Sequence, residues 1–404
     1  MTNLTSVTRA VRGFAVLLLG RSLCERLIEQ KKAAEELAVP MFLRLEQIAA
    51  YARYSRESDV EQDILLGVTR VGRFLEEHSR KVPIRNDARG FILSDQKTYG
   101  LWGLYTVSAR ASGMLADGPV GLTTEARKFV EEAYVPKLRP VQAQLERLIL
   151  KDGHLDATKG NQPYSAMHKL LTGPLSIPER RFFARTLRNA QEHAASLDPG
   201  DKARRQRQSQ LAELIPKCCK ADKAIGRADV ASLFEAAKNK GYDSLAERLH
   251  RILRLESLLA PVEAIFERLQ ARNGQQITVV AKQIQDDWGD TIPRLAEPLN
   301  SMLPDIRVAV GDEQARCLIE CDEALRNGRY VDVIATILRW NERVMAGRGS
   351  APWVKKVGGK LDVRFRGIEV KFPERNELPD LWRNGYFMDS LREVTFQTED
   401  PTNG

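Results

Sequence analysis

Apolar residues recur at helical spacing through most of this chain, and that periodicity constrains the fold more than any other feature. Within residues 41–54, for example, Phe42, Leu45 and Ile48 follow one another at intervals of one helical turn, so they line one face. Alternating apolar and polar residues, typical of strands, occur near the C-terminus at 361–372. We therefore predict a mostly α protein of multi-helical hairpins, with a small C-terminal β-hairpin followed by a helix.

The length of 404 residues suffices for two or three domains, and breaks rich in Pro, Gly, Asn and Asp mark the candidate domain edges. These breaks follow no fixed repeat period. The predicted regions are an N-terminal helical region (1–82), a helical and winged-helix-like region (91–197), a basic connector (198–226), a helical hairpin domain (227–345), a β-hairpin plus helix (350–395) and a flexible tail (396–404).

Cysteine usage and the N-terminal segment both predict a cytoplasmic protein. The five cysteines are odd in number and follow no spacing of a secreted disulfide framework. An apolar run at 14–19 is followed at once by Arg21, Glu25 and Arg26, so we interpret residues 6–37 as a buried helix rather than a signal peptide. No stretch approaches the roughly 20 apolar residues that span a bilayer, and no membrane partner is predicted.

Positive charge is concentrated in one part of the chain. The net charge is +8, and the window from Arg181 to Lys223 holds ten Lys or Arg against five Asp or Glu. Such clusters attract phosphate backbones, so DNA or RNA is the predicted partner. A solvated helix face or an acidic protein partner explains the same charges without nucleic acid. The predicted nucleic-acid contacts are Lys202, Arg204, Arg205, Arg207, Arg185, Arg188, Arg110, Arg127 and Lys128.

Residues 92–134 resemble parts of winged-helix domains. A long helix, a Gly-containing turn and a helix start at Leu122-Thr123 follow one another there, and such domains place one helix in the major groove of DNA. Arg110, Arg127 and Lys128 would then contact phosphates. The segment lacks an obvious two-stranded wing, and three core helices with ordinary caps account for the same pattern.

The predicted C-terminal hairpin supports a second hypothesis, a metal-dependent nuclease. If Arg366-Gly367 forms the turn, Asp362 pairs with Lys371 across the hairpin and Glu369 lies on the same face. Two carboxylates and a lysine are typical of nuclease sites that hold Mg²⁺ and activate a water molecule. Cross-strand ion pairs on a solvated face explain the same residues without chemistry. We expect no cofactor for the protein; Mg²⁺ is predicted only under this nuclease hypothesis.

Other catalytic signatures are missing from the sequence. It contains no Walker A loop, no Gly-x-Gly-x-x-Gly and no Gly-x-Ser-x-Gly motif, which removes the usual support for an NTPase or a serine hydrolase. Cys317 and Cys321 lie one helical turn apart, but no His or Cys pair accompanies them at zinc spacing, so we interpret them as buried helical cysteines. These observations favour a protein that is not an enzyme.

Three short segments resemble a family of uncharacterised bacterial proteins encoded near anti-phage defence or mobile-element genes. The segments are 97–105 (KTYGLWGLY), 351–354 (APWV) and 381–387 (LWRNGYF). The resemblance implies a subunit that works beside separate nuclease or ATPase proteins, and it assigns no catalytic residue. The combined prediction is a non-catalytic subunit that binds nucleic acid or acts as a scaffold in a bacterial multiprotein system of antiviral defence. The alternatives are the Mg²⁺-dependent nuclease and an assembly factor that binds only proteins.

Overall fold

The computed structural model of the protein describes residues 3–54, 66–116, 118, 121–188, 199–290, 292, 298–366 and 371–399. Most of these residues are helical, and the strands among them form two small antiparallel sheets, which confirms the predicted mostly α fold class. Within the same ranges, no helix has both the length and the apolar character needed to cross a membrane.

The elements up to residue 218 are α1 (Val11–Glu29), α2 (Ala38–Arg53), α3 (Val68–Glu77), β1 (Lys81–Ile84), α4 (Gln96–Tyr99), α5 (Leu101–Ala111), α6 (Thr124–Ala133), α7 (Val135–Leu138), α8 (Gln142–Leu150), β2 (Gly153–Asp156), α9 (Gln162–Thr172), α10 (Ile177–Phe183) and α11 (Pro199–Cys218). A π-helical turn, Ala184–Arg188, continues α10. The later elements are α12 (Arg227–Asn239), α13 (Asp243–Gln270), α14 (Ile277–Trp288), α15 (Leu303–Val310), α16 (Asp312–Arg326), α17 (Tyr330–Gly347), β3 (Val354–Val357), β4 (Lys360–Val363) and α18 (Met388–Gln397).

The chain divides into two compact units. Unit 1 comprises residues 1–224 and 386–404, and unit 2 comprises residues 225–385. Helix α18 therefore belongs to unit 1, where it packs against α11 and the π-helical turn. The segment predicted as one hairpin-plus-helix region is shared between the two units, because β3 and β4 belong to unit 2.

The apolar run near the N-terminus is buried in α1, as predicted. Residues 14–19 are all buried, and α1 packs against α2, α5 and α6 in unit 1. The helix is shorter than the predicted span of 6–37. It ends at Glu29, and Lys31 beyond it has a left-handed backbone conformation (φ 55°) that cannot continue a helix.

A buried carboxylate divides the long helix that the sequence predicts in the first part of residues 92–134. Glu46 of α2 accepts hydrogen bonds from the backbone N–H of Leu101 (2.6 Å) and from Nε2 of Gln96 (2.9 Å). Helix α5 therefore begins at Leu101 with its first N–H bound to a side chain instead of to α4. At Gly100 the backbone passes so close to Glu46 that a Cβ atom would lie 2.7 Å from each carboxylate oxygen.

The helix start predicted at Leu122-Thr123 is confirmed. The Thr123 hydroxyl accepts the N–H of Ala126 (3.3 Å) at the start of α6 and donates to the carbonyl of Gly113 (3.0 Å). A backbone bridge also joins Leu115 to Leu122. Thr123 thus fixes both the helix and the turn before it, while the winged-helix comparison stays a prediction.

Unit 2 consists of paired helices, as predicted for 227–345. Helix α12 packs against α13, α16 against α17, and α14 against α17. Trp288 at the end of α14 is fully buried; its indole N–H donates to the carbonyl of Pro373 (2.8 Å), and its ring stacks on Phe372 with 4.6 Å between ring centroids. The segment after the hairpin is therefore anchored in the helical core.

The C-terminal hairpin has different partners from those predicted. Strand β3 pairs with β4 through a turn at Gly358-Gly359, where both residues have positive φ. Asp362 therefore lies opposite Lys355, and the predicted pairing of Asp362 with Lys371 is wrong. Two consecutive left-handed positions suit a Gly-Gly turn, which explains why this turn is used. Residues 367–370, predicted as the turn and second strand, lie outside the described residues.

Candidate nucleic-acid interface

Helix α10 and the π-helical turn carry a row of arginines whose direction is set by apolar packing. Phe182, Phe183 and Leu187 are buried, and Phe182 stacks face to face on Phe129 with 4.0 Å between ring centroids. Burial of this side leaves the opposite positions exposed or partly exposed to solvent. The arginines at those positions are Arg180, Arg181, Arg185 and Arg188.

Glu179 anchors the start of this helix. Its Oε2 accepts the backbone N–H and the hydroxyl of Ser176 (2.7 Å each), Oε1 accepts the Tyr134 hydroxyl (3.0 Å), and Arg12 forms an ion pair with it. Burial alone would raise the pKa of Glu179, but the hydrogen bonds from Ser176 and the charge of Arg12 hold it below its usual value. The carboxylate oxygens of Glu179 are therefore used for contacts within the fold.

Residues 199–218 of the segment predicted as a basic connector (198–226) are helical. Within the described residues, helix α11 spans Pro199–Cys218. The buried Gln208 donates from Nε2 to the carbonyl of Leu187 (2.5 Å), which joins α11 to the π-helical turn. Along α11 lie the exposed Lys202 and three partly buried residues, Arg204, Arg205 and Arg207.

Three groups of predicted contacts are therefore neighbours in unit 1. The π-helical turn carries Arg185 and Arg188 and is bound to α11. Arg205 of α11 donates from Nη2 to the carbonyl of Ala111 (3.0 Å), which follows Arg110 at the end of α5. The fold thus assembles cations that are up to about a hundred residues apart in sequence.

Three residues that are predicted to contact nucleic acid form ion pairs with carboxylates. The ion pairs are Arg185 with Glu125, Arg127 with Glu25 (2.7 Å between Nη2 and Oε1) and Lys128 with Glu132 (3.9 Å between Nζ and Oε1). Because each partner offsets a positive charge, these three cations add less to the local potential than a sequence count suggests. Arg127 and Lys128 lie on α6, whose carboxylate Glu125 reaches the π-helical turn.

Beside the π-helical turn lies a pocket of about 250 Å³. We call its main lining residues the arginine pocket: Arg180, Arg181, Ala184, Arg188, Thr398 and Glu399. Within the described ranges, no ion pair and no side-chain hydrogen bond joins any of these three arginines to another residue. Burial lowers the pKa of Arg188, although the charge of Glu399 acts in the opposite direction.

Sequence reasoning missed this pocket. Residues 180, 184 and 188 are spaced four apart and therefore share a helix face. The predicted basic window begins at Arg181, so it leaves out Arg180. The far wall comes from Thr398 and Glu399, more than two hundred residues away in the chain. No local pattern links those two residues to α10.

The C-terminal end of α18 is held in place by α1. The Gln397 side chain accepts the N–H of Val11 (2.9 Å) and donates to the carbonyl of Arg9 (3.0 Å). Residues 396–399, predicted to begin a flexible tail, are therefore part of the packed unit, and 400–404 lie outside the described residues. This contact places Thr398 and Glu399 beside α10.

The residues of the nuclease hypothesis pair with other neighbours. Nζ of Lys355 lies 3.4 Å from Asp362, and Nζ of Lys371 lies 3.3 Å from Glu374. Glu369 lies outside the described residues. Among those that are described, no group of three or more His, Cys, Asp or Glu side chains could hold a metal ion.

The two cysteines that the sequence predicts to be buried on a helix are core residues. Cys317 and Cys321 are buried on α16, and neither forms a disulfide. Burial raises the pKa of Cys321 to about 12, so its thiol stays protonated at neutral pH.

Two of the segments behind the family resemblance are tied down by buried glutamates. Glu46 binds the segment that contains Leu101, as described above. In unit 2 the fully buried Glu256 of α13 accepts the backbone N–H groups of Arg383 (2.7 Å) and Asn384 (2.9 Å). The resemblance itself stays a prediction, because no family model, no curated protein and no solved structure matches this chain.

Proposed function

We propose that the protein binds nucleic acid through the phosphate backbone and works as a non-catalytic subunit of a bacterial antiviral assembly. The observation that carries the proposal is the arginine pocket, whose three arginines have no ion pair within the described ranges. Helix α11, with Lys202 and its partly buried arginines, lies next to it. Guanidinium and ammonium groups that are not neutralised by carboxylates bind phosphates without reading the sequence.

The buried contacts around these cations support a preformed surface. Arg205 is fixed by the Ala111 carbonyl, and Gln208 fixes α11 to the π-helical turn. Cations on packed helices lose less conformational freedom on binding than cations on a flexible connector would. We therefore expect binding to DNA or RNA that is similar across sequences and falls steeply with added salt.

A double charge reversal tests this function. Arg181 and Lys202 are both exposed, so Arg181→Glu with Lys202→Glu changes the potential at little cost in stability. We expect at least a roughly tenfold loss of affinity for single- and double-stranded oligonucleotides, and a salt dependence weaker by about two phosphate contacts. Fluorescence anisotropy with two unrelated sequences measures both effects.

The matched control is Lys356→Glu with Lys360→Glu, two exposed lysines of the β3–β4 hairpin in unit 2. It makes the same change in net charge elsewhere on the chain. Equal affinity losses for the two double variants would contradict the proposal, because the effect would then reflect net charge alone. Replacing Lys202, Arg204, Arg205 and Arg207 together by Ala should also weaken binding to all sequences alike.

The assembly-factor hypothesis is separated by a different outcome. If no oligonucleotide binds at roughly 50 mM salt, where electrostatic binding is strong, and a stoichiometric protein partner is recovered after nuclease treatment, then the basic surface meets an acidic protein. That result would overturn the proposed function.

A further inference from the structure

The arginine pocket is unbalanced in charge. Among the described residues that line it, three guanidinium groups face one carboxylate, that of Glu399, so this set of side chains carries a surplus of two positive charges at neutral pH. Ala184 lies between the arginines along the helix and, with Ile177, supplies an uncharged part of the wall. The small side chain at position 184 leaves space where a long side chain would fill the cavity.

Hydrogen-bond donors in this pocket exceed acceptors. Each guanidinium carries five N–H donors and no acceptor. Nε of Arg188 is buried and has no hydrogen-bond partner among the described residues. A buried donor without an acceptor is unfavourable, so a bound oxyanion would satisfy a group that the fold leaves unsatisfied.

The charge surplus distinguishes between two kinds of phosphate. A phosphate diester inside a strand carries one negative charge, whereas a phosphate monoester carries about −1.5 to −2 at neutral pH. The monoester therefore matches the pocket more closely. A strand also ends at its terminal monoester, so that phosphate can enter a cavity of about 250 Å³. An internal diester is joined to a nucleotide on each side, so the strand would have to leave the cavity in two directions.

We propose that the arginine pocket binds the terminal phosphate monoester of a nucleic-acid strand. The inference rests on the proposed function and adds the part of the strand that is recognised. Arg188 lies at the partly buried side of the pocket, and Arg181 is exposed at its edge. Helix α11 would contact the following internal phosphates.

The test compares short oligonucleotides of one sequence that differ only at their ends. A 5′-phosphate, a 3′-phosphate and a hydroxyl at both ends are measured by fluorescence anisotropy, with inorganic phosphate as competitor. We expect one phosphorylated end to bind roughly tenfold more tightly than the hydroxyl form. In Arg188→Gln this preference should fall below about twofold, while Arg316→Gln, an exposed arginine on α16, should keep it.

Each outcome separates the inference from the proposed function. If all ends bind equally well and the binding is salt-dependent, recognition of the strand end is wrong and the proposed function stands. If no oligonucleotide binds, both are wrong. If inorganic phosphate binds to the pocket but phosphorylated ends gain nothing, the pocket takes a free phosphate and the inference is overturned.

A second variant keeps the test valid if Arg188→Gln lowers the melting temperature. Glu399→Gln removes the carboxylate that the described lining residues contribute, and it should tighten binding of the phosphorylated end about threefold, because it makes the pocket more positive. Its effect on the hydroxyl form should be smaller. An unchanged affinity for the phosphorylated end would contradict the inference.

Discussion

The arginine pocket of unit 1 differs from the ion-paired cations found elsewhere in the molecule, and three pairs of unit 2 show the difference. In unit 2, nearby carboxylates offset several exposed cations along the helices and the hairpin; the pairs include Lys282–Asp286 (3.1 Å), Arg329–Asp332 (3.4 Å) and Lys355–Asp362 (3.4 Å). In unit 1, the arginine pocket gathers three arginines that have no ion pair within the described ranges. Exposed ion pairs contribute little to stability, but they decide where a positive potential remains for a ligand.

The units also differ in how they stabilise a buried glutamate. In unit 2, Glu256 accepts two backbone N–H groups and the Asn384 side chain (3.1 Å from Nδ2 to Oε2), and its charge acts on Arg227. In unit 1, Glu46 accepts one backbone N–H and one amide, both neutral. Burial raises the pKa of Glu46 to about 7, although the hydrogen bonds from Leu101 and Gln96 lower it. A buried carboxylate therefore anchors neighbouring N–H groups in each unit, and in unit 1 burial also raises its pKa.

The largest expected effect is the loss of the anchor in unit 2. Glu256→Ala removes the acceptor of the partly buried N–H groups of Arg383 and Asn384, and a donor left without an acceptor costs about 1–3 kcal/mol. We expect the free energy of unfolding to fall by about 4 kcal/mol. Urea unfolding followed by tryptophan fluorescence measures this, because four of the five tryptophans lie in unit 2.

The control for this variant is Glu247→Ala on the same helix. Glu247 is 64% exposed and pairs with Arg251, so its removal should cost under about 1 kcal/mol. If the two variants lose similar stability, Glu256 is not an anchor and the contrast between the units disappears.

A pH titration should show that Glu46 titrates within the fold. Because the pKa of Glu46 rises from 4.5 to about 7 on folding, its contribution to stability is complete below pH 4.5 and is lost as the pH rises through about 7. Stability of unit 1 should therefore fall by roughly 3 kcal/mol between pH 4 and pH 8 from this group. Urea unfolding followed by circular dichroism measures it.

This test depends on how the free energy of unfolding changes with pH, and not on its absolute value. Glu46→Gln still offers an oxygen to Leu101 but turns an amide toward Gln96, a cost that does not change with pH. The difference in stability between the two proteins should therefore change by about 3 kcal/mol over that range. Parallel pH profiles would show that Glu46 does not titrate.

Elements governed by local chemistry were predictable from the sequence. The start of α10 follows from Ser176-Ile177-Pro178-Glu179, and Thr123 caps α6 as expected. The adjacent Ser94 and Asp95 can both cap α4, and Asp95 is the residue that accepts the Thr98 N–H (3.0 Å). Two adjacent residues that can both cap a helix are not separable by pattern alone.

Elements governed by distant partners were not predictable. The division of the helix at Gly100 depends on Glu46, more than fifty residues away, and periodicity gives no sign of it. The predicted hairpin partner of Asp362 is wrong because the alternating pattern at 361–372 indicates two strands after residue 360. In the structure, the Gly358-Gly359 turn instead pairs the strand that contains Asp362 with the strand before it, β3. Of the candidate site, the cations were visible, but their pairing with carboxylates needed the fold.

The smallest expected effect tests whether releasing paired cations of unit 2 from their carboxylates increases nucleic-acid binding. Asp286→Asn with Asp332→Asn releases Lys282 and Arg329 from their partners and raises the net charge by two. Lys282 lies on α14 and Arg329 immediately precedes α17, so the two do not form a cluster and we expect affinity for oligonucleotides to rise by less than about twofold. A rise as large as the loss caused by reversing Arg181 and Lys202 would show that total charge governs binding. The contrast between the units would then have no role in recognition, because any cation released from its carboxylate would serve as well as those of the arginine pocket.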